Sequence, residues 1–116
     1  MKIALSISSP HIDAPLDQRF GRASHFLIVE SESQAVSYID NAEQKEASQG
    51  AGIQVAQMLV QAGVKAIITG HCGPKAFLVL TQNDIAVYAT IMTSATEALK
   101  CFESGQLVRL QAPQKG

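Results

Sequence analysis

His71 and Cys72 stand side by side between a β-branched run and Gly73-Pro74, and no other short segment is as well placed for soft-metal or nucleophilic chemistry. A thiol just ahead of a helix start has its thiolate favoured, which improves it as a ligand or a nucleophile. The plainer alternative is a small cysteine buried in a tight turn. Cys101 is a poor second ligand. On its predicted helix it lies about 120° from the Ala95–Leu99–Phe102 face and roughly 10 Å below the helix start. His11 and His25 offer further nitrogen donors, although a lone histidine beside a strand is more often a surface or hydrogen-bonded residue. The metal-ligating candidates are therefore Cys72, His71 and His11.

A second group is cationic. Arg19 and Arg22 fall in a long irregular stretch, and Lys75 falls in the first turn of a predicted helix. A cation at a helix start opposes the helix dipole, so an anionic partner explains Lys75 better than helix stability does. The bland reading is scattered charge on a solvated loop. Gly50-Ala51-Gly52 could let a ligand approach the backbone, or could merely turn the chain into a helix. The phosphate-loop ending Gly-Lys-Ser/Thr is absent, which disfavours a nucleotide.

Enzyme readings find less support. A two-metal nuclease needs several carboxylates, yet the first predicted strand carries none, and Asp13 and Asp17 sit in the loop. A Cys-His hydrolase needs a base facing the thiol, and adjacent residues in a turn do not imply that geometry.

The elements that must position these groups are legible from hydrophobic period. Ile3, Leu5 and Ile7 alternate with Lys2, Ala4, Ser6 and Ser8 as a strand. After the irregular Ser9–Ser24 stretch, His25–Glu30 and Ala35–Asp40 read as a hairpin around Ser31–Gln34. Ile53, Ala56, Leu59 and Val60 recur at helical spacing, and Gly63 stops that helix. Val64–Thr69 reads as a buried parallel strand. Pro74 suits the first position of a second helix, which carries Phe77 and Leu80 inward and ends near Asn83. Ile85–Ala89 is a fifth strand, and Ser94-x-x-Glu97 is a capping box opening a third helix that stops at Gly105.

The order β-β-β-α-β-α-β-α implies a mixed sheet flanked by three helices. With strands 1, 4 and 5 parallel and strand 2 antiparallel, right-handed crossovers give the sheet order 3-2-1-4-5. That arrangement resembles the ribonuclease H-like α/β architecture. It brings the Ser9–Ser24 loop, Gly50–Gly52 and Gly70–Lys75 to one rim, where open α/β sheets form a ligand crevice. Two helix N-termini opening there make an anion the natural ligand.

The chain of 116 residues is 47% hydrophobic and 16% charged, with a formal charge of −1. One packed domain follows, spanning 1–110, with a polar, frayed tail at 111–116. The near-neutral balance gives no pull toward nucleic acid, and no apolar run approaches the roughly 20 residues of a membrane helix. Two cysteines make no disulfide framework, so a reducing cytoplasm is the expected compartment.

Three ordered motifs carry a family resemblance. Asp17-x-Arg19-Phe20-Gly21-Arg22-Ala23-x-x-Phe26, Gly50-Ala51-Gly52-Ile53-Gln54-x-Ala56 and Gly70-x-Cys72-Gly73-Pro74-Lys75-Ala76-Phe77 resemble the dinitrogenase iron–molybdenum cofactor biosynthesis family, which includes NifX-type carriers. The resemblance runs from about Met1 to Leu110. It implies a fold without nuclease activity and a non-enzymatic protein that binds and transfers a metal–sulfur cluster or its precursor. The cluster would be a molybdenum-containing Mo–Fe–S or Mo–Cu–S species, as in the similar molybdenum–copper orange protein branch, which holds its cluster without covalent attachment. The partners implied are cluster donor or acceptor proteins. At the rim described above, the expected binding residues are Arg19, Gly21, Arg22, Gly50, Ala51, Gly52, Gly73 and Lys75. Many members carry a histidine just before Gly-x-Gly, where this chain has Ser48-Gln49, so His71 or His11 would have to substitute. The remaining alternatives are a partner-binding regulatory domain without a cluster and a small cysteine-dependent enzyme.

Overall fold

The computed structural model describes residues 1–42 and 50–114. Ser48-Gln49 and the last two residues of the tail therefore lie outside the described residues. Five strands form one sheet in the order β3-β2-β1-β4-β5: β1 Lys2–Ile7, β2 His25–Glu30, β3 Val36–Asp40, β4 Val64–Thr69 and β5 Ala86–Ala89. Strand β1 is antiparallel to β2 and parallel to β4, and β4 is parallel to β5. The order and directions are those predicted from the pattern. Strands β3 and β5 each begin one residue later than the alternation indicated, at Val36 and Ala86. The hairpin closes through a left-handed Gln34 at φ 63° and an Ala35 carbonyl that accepts from Glu30 N–H at 2.9 Å.

Helices α1 (Ala51–Gln61) and α2 (Pro74–Gln82) cover one face of the sheet, where Ala4, Phe26, Ile28, Ile67 and Val87 meet Val55, Ala56, Leu59, Phe77 and Leu80. Helix α3 (Ala95–Glu103) covers the other, where Ala95 and Ala98 meet Ile3, Leu5, Ile7, Leu27 and Ile68. The period-2 pattern thus sorts β1 correctly between the two layers. It does not separate inside from outside, because a central strand is covered on both faces and Ala4 and Ser6 are as buried as Ile3. Ser94 caps α3 by accepting from Glu97 N–H at 3.2 Å, half of the predicted box. None of the described helices is long and apolar enough to cross a membrane.

The loop after β1 is stitched down rather than loose. Asp17 N–H donates to the Ser6 carbonyl at 2.8 Å, Leu16 N–H to Thr93 at 2.8 Å and His71 N–H to Gln18 at 2.7 Å. Such pairing satisfies backbone groups that would otherwise be stranded at the end of the sheet. Gly70 makes room for it, since a Cβ there would lie 2.5 Å from the Gln18 Cα. Gly70→Ala should therefore force the loop outward and cost about 1–3 kcal/mol, the usual range for overpacking. Urea unfolding checks this, and a midpoint equal to wild type would contradict the contact.

Candidate functional site

The three segments that the topology brings to one rim enclose a cleft of about 470 Å³, within the range of ordinary small-ligand sites. The loop contributes Arg19, Phe20, Gly21 and Arg22, the start of α1 contributes Gly50, Ala51, Gly52 and Ile53, and the β4–α2 turn contributes His71, Gly73, Pro74, Lys75 and Ala76. Every cation and glycine named from the sequence as a binding residue lies on this wall. Phe20, Ile53, Pro74 and Ala76 are wall residues that the sequence marked as motif or helix positions but not as binding residues. Ile53 sits one helical step away from the buried Val55–Ala56–Leu59 stripe, so it matched the core period while facing the cleft. Val55, not Ile53, is the core residue.

The backbone at the two helix starts is the main polar feature. Gly50, at φ 73° and ψ 15°, adopts the left-handed conformation that turns the chain into α1. Gly73 precedes Pro74 at the start of α2, and no side chain caps either helix. The first-turn N–H groups of Ala51, Gly52, Ile53, Lys75 and Ala76 therefore have no intrahelical acceptor and carry the positive ends of two dipoles. The two starts touch. A Cβ on Gly52 would stand 3.3 Å from the Ala76 Cβ, and one on Gly21 would stand 2.9 Å from the Gly52 nitrogen.

Cationic side chains surround these groups. The Arg19 side chain is 69% exposed and its Nε lies 3.3 Å from Asp17 Oδ1. Lys75 is exposed on the first turn of α2. Arg22 and His71 line the cleft and also hold other contacts. His71 is fixed by its backbone, whose carbonyl accepts from Phe20 N–H at 3.1 Å.

The sulfur and the remaining histidines are placed differently. Cys72 is fully buried against the core that includes Phe20, Phe26, Val55 and Phe77, and it does not line the cleft. Burial pushes its thiol up to about 12, so the expected helix-start thiolate gives way to desolvation, the larger effect here. As folded, this sulfur offers no ligand to the cleft. His11 is exposed on the far part of the loop and is not on the cleft wall, and His25 pairs with Ser24 Oγ at 3.0 Å. Cys101 is half-buried on α3, the helix of the opposite face. Among the described residues, no group of three or more His, Cys, Asp and Glu could hold a metal ion. In the tail, the Gln114 side chain accepts from Cys72 N–H at 2.9 Å.

Two outcomes follow for the thiols. Native protein at pH 8 treated with iodoacetamide should carry one adduct, mapped by mass spectrometry to Cys101. Cys72→Ser should lower stability by about 1–3 kcal/mol, the cost of burying a hydroxyl among apolar groups. Rapid alkylation of Cys72 in the native state would contradict its placement.

Comparison with known proteins agrees with this geometry. Residues 1–105 match the dinitrogenase iron–molybdenum cofactor family. An uncharacterized protein of Methanocaldococcus jannaschii is 36% identical over 114 residues, covering 96% of this chain and 92% of its own. The apo form of the orange protein from Desulfovibrio gigas superposes with a TM-score of 0.94 at 36% identity, covering 98% of this chain and 96% of that one. A Thermotoga protein assigned to the NifB proteins and to the DUF35 family superposes at 0.86 with 28% identity, covering 98% and 97% of the two chains. With a match that spans nearly its whole length, the chain belongs to the dinitrogenase iron–molybdenum cofactor family.

Proposed function

We propose that this protein is a non-enzymatic carrier that holds a preassembled anionic metal–sulfur cluster in the cleft and passes it to another protein. The observation that supports this most is the meeting of two uncapped helix N-termini at one wall, beside Arg19 and Lys75. A site of that kind recognises negative charge through backbone N–H groups and needs no metal–protein bond. The donor set agrees with it. Clusters ligated wholly by protein usually take about four thiolates, and here one of the two cysteines is buried and the other lies across the sheet. Sulfide and metal would therefore arrive together as cargo.

The family and the orange protein likeness support a molybdenum-containing cargo, Mo–Fe–S or Mo–Cu–S, with cluster donor or acceptor proteins as partners. The open mouth of the cleft is where such exchange would occur. We read the architecture as ribonuclease H-like in shape without that fold's carboxylate chemistry. Free cysteines accord with a reducing cytoplasm.

Binding of this kind is dominated by charge, and screening shortens from about 10 Å at 0.1 M salt to about 3 Å at 1 M. Tetrathiomolybdate, an anionic probe, should bind apoprotein at low salt and weaken clearly at 1 M. Arg19→Ala with Lys75→Ala should cost about 2 kcal/mol, roughly thirtyfold in affinity, while the fold persists. Optical titration measures both. Salt-indifferent binding that is abolished by alkylating a single thiol would overturn the reading in favour of covalent ligation.

A further inference from the structure

A chain of polar contacts runs from the interior of the sheet to the cleft, and its middle member is an acid with no role so far. Thr69 Oγ1 and Ser6 Oγ lie 2.7 Å apart, fully buried at the ends of β4 and β1. Ser6 Oγ donates to the Asp17 carbonyl at 2.7 Å. The Ser6 hydroxyl has only one proton, so Thr69 is the donor in the pair. Asp17 N–H returns a bond to the Ser6 carbonyl at 2.8 Å. The backbone of Asp17 is thereby locked to the sheet on both sides.

Among the described residues, its carboxylate bonds to Arg19 alone. Asp17 Oδ1 accepts from Arg19 N–H at 2.9 Å and from Arg19 Nε at 3.3 Å, and Oδ2 accepts from Arg19 Nη2 at 3.4 Å. The carboxylate side chain is 10% exposed, whereas the Arg19 side chain is 69% exposed. A long cation at an open rim would otherwise sample many rotamers. A forked pair with a shielded, backbone-locked acid removes that freedom before any ligand arrives. The guanidinium has five N–H donors, of which the fork uses two, so three remain for an anion at the cleft wall.

We propose that Asp17 is the positioning residue of this cleft. Set by the Ser6–Thr69 pair, it pre-orients Arg19 so that a bidentate edge of the guanidinium meets the anionic cargo. This rests on the carrier reading above. It adds that affinity depends on a negative charge standing beside an anion site. Elementary electrostatics alone predicts the reverse, because removing a nearby carboxylate should strengthen anion binding. The sign of one measurement therefore separates the two accounts.

The experiment compares wild type, Asp17→Asn, Arg19→Lys and the double variant for tetrathiomolybdate affinity at low salt. Asparagine keeps an oxygen for the Arg19 N–H turn but cannot form the charged fork, so the loop persists. Thermal melting checks that. Asp17→Asn should weaken binding roughly three- to tenfold, the order expected when one rotamer-rich side chain must be immobilised on binding. In the Arg19→Lys background, which keeps the charge and lacks the fork, the same change should not weaken binding. Nitrogen-15 relaxation of the Arg19 Nε–Hε group should report a rigid side chain in wild type and a mobile one in Asp17→Asn. Tighter binding by Asp17→Asn, an equal loss in both backgrounds, or a mobile Arg19 in wild type would overturn the proposal while leaving the carrier reading standing. Failure of wild type to bind the probe would overturn both.

Discussion

The cleft exists because three small residues let three backbones meet. Gly21, Gly52 and Ala76 stand where the loop, α1 and α2 converge, and a Cβ on Gly21 would press on the Gly52 nitrogen at 2.9 Å. Larger side chains there would hold the two helix starts apart. Brought together, their partial positive ends repel each other, and neither end has a side-chain cap to relieve it. The arrangement is thus locally unfavourable in the absence of an anion. It is held by the core beneath, where Phe20 and Phe26 pack edge to face with centroids 5.6 Å apart against α1 and α2. The close approach of the two helix starts at the rim is thus supported by apolar burial below.

The same constraint explains why the Cys72 sulfur lies in the core and not on the cleft wall. The β4–α2 turn must pass from the sheet to the start of α2 within a few residues, and it does so by turning Cys72 inward. Its side chain fills a place among Phe20, Val55, Ala56 and Phe77, while the backbone on either side, at His71 and Gly73, borders the cleft. Position beside a helix start and access to it are separate properties. The first favours a thiolate, and loss of the second disfavours it more strongly.

Much of this was legible in the sequence. Ile3, Leu5 and Ile7, the β-branched Val64–Thr69 run and Pro74 fixed element types and directions, and direction alone placed Arg19, Gly52 and Lys75 on one rim. What stayed hidden were the choices made by tertiary packing. Periodicity cannot say whether Cys72 points to the core or the cleft, nor that Val55 rather than Ile53 completes the buried stripe. It cannot reveal that Arg109 bridges to Tyr88 and Leu110 N–H donates to the Val87 carbonyl, or that Gln114 returns to Cys72. The Asp17 fork was also invisible, since an i, i+2 acid–base pair in a loop has no characteristic geometry until Ser6 and Thr69 anchor it.

In the proposed carrier, backbone N–H groups at the paired helix starts hold the anion. Amide chemical shifts of isotopically labelled protein, followed during titration with tetrathiomolybdate, test it most directly. The largest displacements are expected on Gly52, Ile53, Lys75 and Ala76, with α3 unmoved. Displacements centred on Cys101 and α3, with those four amides unchanged, would contradict it.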